Sequence, residues 1–353
     1  MSEDESGNYR MHEPRRDESR MDERRPSRPG ELDKLSPAPL PPVAAPSADP
    51  GFGLAKPSAS EEWMEKIFNG PHGLRPVWRL ALYFIMYRGL RFCLLVLLAY
   101  GMPDALFLWR QTAAELGLAI AALVPALLLS RVEGRAFGDY GLPWRNAFGK
   151  LFWSGAAWGM GSLTVLMVGL RGAHAFYFGT VAVHGPRLLK FAVFWAVFFL
   201  IVAFYEEFFT RGYTQFTLTE SVGFWPAAIL LSLGFGALHL ENPGENWVGI
   251  LGAVLIGFFF CLTLQRTGNL WFAVGFHVAW DWGESYFYSV PDSGGKAPGH
   301  LLRSSLQGPD WLTGGSAGPE GSVFLFVLMG LLWVVFGRVY REVKYPASTS
   351  KNH

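Results

Sequence analysis

LLKFAVFWAVFFLIVAFYEEFFTRGYTQF, residues 188–216, decides the fold. From Phe191 to Tyr205 it holds no charged residue, and a helix needs roughly 20 apolar residues to cross a bilayer. The stretch is apolar on every face, so the helix must be enclosed by lipid or by other helices. Yet Glu206, Glu207 and Arg211 lie within it. Ionisable groups at such depth are costly, so each needs a partner or a task.

Working outward, similar runs occur at 78–100, 113–131, 150–170, 224–240, 247–265, 269–288 and 321–340. With 188–216 they predict an all-α, polytopic transmembrane bundle of about eight helices. Half of the 353 residues are hydrophobic and 17% are charged, against about a quarter in ordinary soluble domains. The net charge of +1 gives no reason to expect a nucleic-acid partner. Cys93 and Cys261 both fall in apolar runs and read as small core residues, with no CxxC site or disulfide framework.

Residues 1–60 mix charges and then turn Pro- and Ala-rich, so they are expected to form a disordered cytoplasmic tail. They contain no apolar signal-peptide core. Residues 61–77 include a possible interfacial helix, 78–345 the transmembrane domain with its core at 188–288, and 346–353 a second disordered tail. Arg88 and Arg91 in the first span are expected to pack against protein or lie near an interface. Basic residues at Arg131, Arg135, Arg145 and Lys150, and again at Arg338, Arg341 and Lys344, place both termini in the cytoplasm of a multi-pass cell-membrane protein. Gly249, Ala253 and Gly257 are expected to form one helix-packing face, and Gly155 with Gly159 another.

Three clusters carry the chemistry. Glu207 and Arg211 are four apart, one helical face, with the carboxylate N-terminal to the cation. Glu206 points about 100° away, so it is left free as a candidate general base. Phe235 and His239 share a face at the end of the fifth span. His277 and Asp281 do the same in the seventh, where a carboxylate fixes the tautomer of an imidazole or offers a second polar contact. HExxH and GxGD patterns are absent, and GGSAG at 314–318 lacks the strand and helix of a nucleophile elbow.

EExxxR at 206–211, FxxxH at 235–239 and HxxxD at 277–281, in that order, resemble the motifs of the CAAX-processing and bacteriocin-processing (Abi, or CPBP) intramembrane proteases. GFHVAWDW is similar to the bacterial-type members. The resemblance implies a membrane endopeptidase, CAAX prenyl protease-like, acting in the bilayer on a membrane-embedded or lipidated peptide or protein. It also implies that Glu206 and His239 activate water, that His277 and Asp281 stabilise an oxyanion, and that Glu207, Arg211 and Phe235 support them. Where eukaryotic prenyl-protein proteases carry Asn, this chain has Asp281, and an ionised Asp only accepts hydrogen bonds.

The expectation is that no metal is required. The alternative is a zinc metalloprotease with Glu206, His239 and His277 as ligands. A transporter, or a protein that binds a membrane partner without catalysis, are the readings from other classes. If the enzyme reading holds, Glu206, His239 and His277 must converge on one cavity. That cavity is expected to open toward the cytoplasmic half, with Phe204, Phe235 and Trp280 as its walls.

Overall fold

The computed structural model of the chain describes residues 63, 65, 67–70, 73–242 and 244–345. The tails expected at 1–60 and 346–353 lie outside the described residues. Trp63, Glu65, Ile67 and Phe68 are helical, and the strands Asn69–Gly70 and Gly73–Leu74 pair as a small hairpin before the first long helix. That helix, α1, spans Pro76–Gly101. Its proline sits at the first turn, where a missing N–H costs nothing.

The long helices that follow are α2 (Phe107–Val132), α3 (Lys150–Gly172) and α4 (Pro186–Arg211). After them come α5 (Tyr213–Val222), α6 (Phe224–Leu238), α7 (Trp247–Thr267), α8 (Trp271–Trp282) and α9 (Val323–Val339). Six stretches among the described residues are long and apolar enough to cross a membrane: α1, α2, α3, α4 with α5, α6 with its 3₁₀ extension to Glu241, and α7. Helix α9 is apolar but shorter, and α8 is prolonged by a π-helical turn to Tyr288. The chain is a polytopic helical membrane protein.

The run at 188–216 is not one helix. It breaks at Gly212, whose ψ of −118° is not helical. A side chain there would collide with the Phe208 ring. The Thr214 hydroxyl donates to the carbonyls of Phe209 and Thr210 at 2.6 and 2.8 Å, satisfying groups that the ended helix leaves open.

The contacts between elements define two ends of the bundle. At one end Arg79 of α1 pairs with Glu133 at 2.7 Å and with Glu220, while Tyr345 packs on Phe216 and Phe224. The start of α1 and the segment after α9 therefore share that end. At the other, strand Phe176–Tyr177 pairs with Ser305–Leu306, and Tyr286 donates to the Leu188 carbonyl at 2.8 Å. Outward faces carry exposed Ile85, Phe92, Leu97, Val168, Leu189, Leu230 and Val327. A band of that kind would be an aggregation hazard in water and is the ordinary surface of a helix in lipid. Arg88 is exposed on α1, whereas Arg91 is half-buried. Cys93 is exposed too, contrary to the core reading, while Cys261 is buried.

Helices α3 and α8 pack backbone against backbone. A Cβ on Gly155 or Gly159 would overlap the carbonyls of Phe272 and Phe276, and one on Gly275 would overlap that of Phe152. These backbones touch because the glycines have no side chains. The expected single face of α7 divides instead. Gly249 and Gly252 meet Ala317, Glu320 and Leu325, while Gly257 faces Arg211.

Candidate active site

Glu207 is fully buried on α4, and Arg211, one turn later, is 1% exposed. The Nη1 of Arg211 donates to both carboxylate oxygens, at 2.9 and 3.0 Å. Its Nε donates to the Gly257 carbonyl at 3.2 Å, and the guanidinium lies 4.6 Å from the Phe235 ring centre. A buried cation is stable only with such partners. A Cβ at Gly257 would stand 2.6 Å from Nη2, so that glycine provides the guanidinium's space.

Glu207 has a second partner. His277 Nδ1 lies 3.1 Å from its Oε1 and donates to it, so Glu207 links α4 to α8. The other nitrogen of His277, Nε2, faces Asp281 Oδ2 at 3.3 Å and Glu206 Oε2 at 3.7 Å. Glu206 has no hydrogen bond of its own to His277 at that distance. The charges thus divide as the helical geometry suggested, with one carboxylate locked and its neighbour turned toward open space.

His239 sits where α6 ends. Its Nδ1 is 2.9 Å from the Phe235 carbonyl, and its ring meets Phe235 edge-on at 4.8 Å. A carbonyl only accepts, so Nδ1 carries a proton, and in the neutral imidazole Nε2 keeps its lone pair.

These groups meet in a cavity of about 490 Å³ lined by Glu206, Phe235, His239, His277, Trp280 and Asp281. Phe235 and Trp280 form walls as expected. Phe204 does not, because it packs outside against Trp144 and Trp271. Phe198, Phe199 and Trp195 of α4 take the aromatic role instead. The expected opening is also reversed. Asn242 and the loop at 293–298 line the mouth, so the cavity lies toward the end of the bundle opposite the Arg131–Lys150 loop.

Several lining groups were not singled out in the sequence. Glu115 of α2 faces the same space, as do Asp292 and Glu320 from the loop between α8 and α9. Desolvation pushes the Asp292 carboxyl well above the ordinary carboxylate range and raises Glu320 as well, the negative charge of Asp281 adding to both. Glu115 was detectable as an acid inside an apolar run. The two loop acids carry no such mark. Ser316 of GGSAG is exposed in a 3₁₀ turn and takes no part.

The zinc alternative meets a geometric difficulty. Among the described residues, the ligand atoms of Glu206, His239 and His277 do not gather within 4.8 Å of one another. As placed, they do not fit one tetrahedral zinc, whose ligands lie at about 2.0–2.2 Å.

The described residues thus form a multi-pass bundle with an acid and two histidines around one cavity. Residues 188–283, a little over a quarter of the chain, match the family model described as type II CAAX prenyl endopeptidase Rce1-like. The match covers all three motifs through Asp281 and is the family to which they pointed. Comparison with curated proteins and with solved structures gave no match.

Proposed function

We propose that the protein is an intramembrane endopeptidase that hydrolyses a peptide bond in a membrane-associated or lipidated polypeptide, using water activated by Glu206 and His239. The observation that carries this reading is the meeting of Glu206, His239 and His277 in one cavity. Glu206 takes the proton of the water, while His239, with its Nε2 lone pair, accepts a second hydrogen bond from it. With a proton on each nitrogen, His277 donates to Glu207 and offers Nε2–H to the carbonyl oxygen as charge develops there. Asp281 orients that imidazole in the manner of a buried carboxylate behind a histidine. Aromatic walls at Phe198, Phe199 and Trp280 suit an apolar or lipid-modified segment and limit bulk water.

The termini are proposed to be cytoplasmic, which directs the cavity mouth to the far side of a cell membrane. The test uses proteoliposomes with quenched fluorescent peptides, prenylated and unprenylated. Wild-type protein cleaves, and Glu206→Gln loses about 10²–10⁴ in rate while keeping its thermal melt. Near-full activity in that variant would remove Glu206 as the base.

A further inference from the structure

Behind the mouth of the cavity lies a group of acids that the proposed hydrolysis does not use. One ligand atom each from Glu284, Asp292 and Glu320 falls within 4.8 Å of the other two. Glu284 stands on the π-helical turn that prolongs α8. Asp292 and Glu320 come from opposite ends of the loop before α9. None of the three forms an ion pair with a lysine or arginine among the described residues.

Glu284 is the telling member. It is fully buried, and neither of its carboxylate oxygens has a hydrogen-bond partner. The Trp280 indole N–H is directed to Glu320 Oε1 at 3.2 Å and gives Glu284 at most a weak share of that hydrogen bond. A buried carboxylate left in this way is unfavourable as an anion unless something neutralises it. The other two acids are held ready. Ser285 donates to Asp292 Oδ2 at 2.9 Å, and the Ser293 hydroxyl and amide donate to Glu320 Oε2 at 2.8 and 3.2 Å. Hydroxyls that fix carboxylates from behind are the usual outer partners of a cation site.

We propose that Glu284, Asp292 and Glu320 bind a calcium-sized divalent cation, separate from the Glu206–His239–His277 set. Oxygen-only donors select hard cations over zinc or copper. Ligand number narrows the choice. Three protein carboxylates suit Ca²⁺, whereas Mg²⁺ keeps most of its waters and usually takes one or two. The three ligand atoms lie within 4.8 Å of one another, inside the reach of such an ion. Bound there, the cation ties both ends of the mouth-lining loop to the end of α8, three residues beyond Asp281. It thereby holds the entrance in one conformation.

The site stands or falls apart from the protease reading, because it is read by binding and not by cleavage. Full-length protein in a neutral detergent is stripped with a chelator, then titrated with CaCl₂, MgCl₂ or MnCl₂. Calorimetry gives the stoichiometry and thermal melts give the stabilisation. The expected result is one Ca²⁺ per chain, a Tm raised by several degrees, and weaker binding of Mg²⁺. Glu284→Gln and Glu320→Gln should each abolish the shift, whereas Glu206→Gln should keep it. Asp292→Asn serves as a further variant if either of the first two fails to fold. Absence of stoichiometric Ca²⁺ binding by wild-type protein would overturn the proposal, as would binding that survives in these variants. Tighter binding of Mg²⁺ than of Ca²⁺ would overturn the assignment to a calcium-type ion.

Discussion

The Nδ1 of His277 and the Oε1 of Glu207 lie 3.1 Å apart, joining the middle of α8 to the end of α4. Glu207 thus serves two masters, the cation that shares its helix and the imidazole of another. Glu207→Gln keeps the volume but removes the charge from beside a buried Arg211. Breaking a buried pair by neutralising one partner costs about 3–5 kcal/mol. The expected outcome is a clearly lower Tm in detergent, partly recovered by pairing the change with Arg211→Met. A single variant that melts like wild type would show that Glu207 is not the structural carboxylate.

Arg211 depends equally on a residue that contributes no atoms to it. At Gly257 even a methyl group would stand 2.6 Å from Nη2. Gly257→Ala should therefore displace the guanidinium from Glu207 and lower Tm, although alanine favours a helix over glycine by about 1 kcal/mol. At Gly161 of α3, where nothing lies within 4 Å, the same change should be neutral or slightly stabilising. Equal melting shifts for the two variants would refute the argument from space.

The contact of α3 with α8 sets where His277 stands. Gly159→Ala pushes a Cβ into the backbone of Phe276, the residue before His277. The helices must separate, at a cost like the 1–3 kcal/mol of other overpacked sites. Peptide cleavage should fall by more than the loss of folded protein explains, which is checked by normalising rates to the folded fraction. Activity that tracks folded protein alone would mean that this contact supports stability without positioning the histidine.

How much of this was legible in the sequence follows from the physics of each signal. Long apolar runs announce membrane helices, and the motif residues stood out because charge inside such runs is expensive. The i, i+4 spacing marked the pairing of Glu207 with Arg211 because both lie on one regular helix. Loop residues gave no comparable signal. Asp292 and Glu320 sit among Gly, Ser and Pro, where acids are commonplace, and only folding brings them to the cavity. The direction of the mouth was misread for a related reason. Distance along a helix locates a residue within its own span, but the mouth is lined by Asn242 and the loop at 292–298. The break at Gly212 was hidden because hydrophobicity continues through it to Phe216.

The sharpest remaining prediction concerns zinc. His239 uses its Nδ1–H on the Phe235 carbonyl, which leaves Nε2 equally suited to a water or to a metal. Among the described residues Glu206, His239 and His277 do not close to within 4.8 Å, which favours the proposed water. The expected outcome is that a zinc-selective chelator leaves peptide cleavage unchanged and that purified protein carries well under one zinc per chain. His239→Ala should still lose about 10²–10⁴ in rate, because the water then lacks its second partner. Activity abolished by the chelator and restored by stoichiometric zinc would require the three side chains to close around the ion. Glu206 would then be a ligand, and the work of the base would pass to another carboxylate of the cavity.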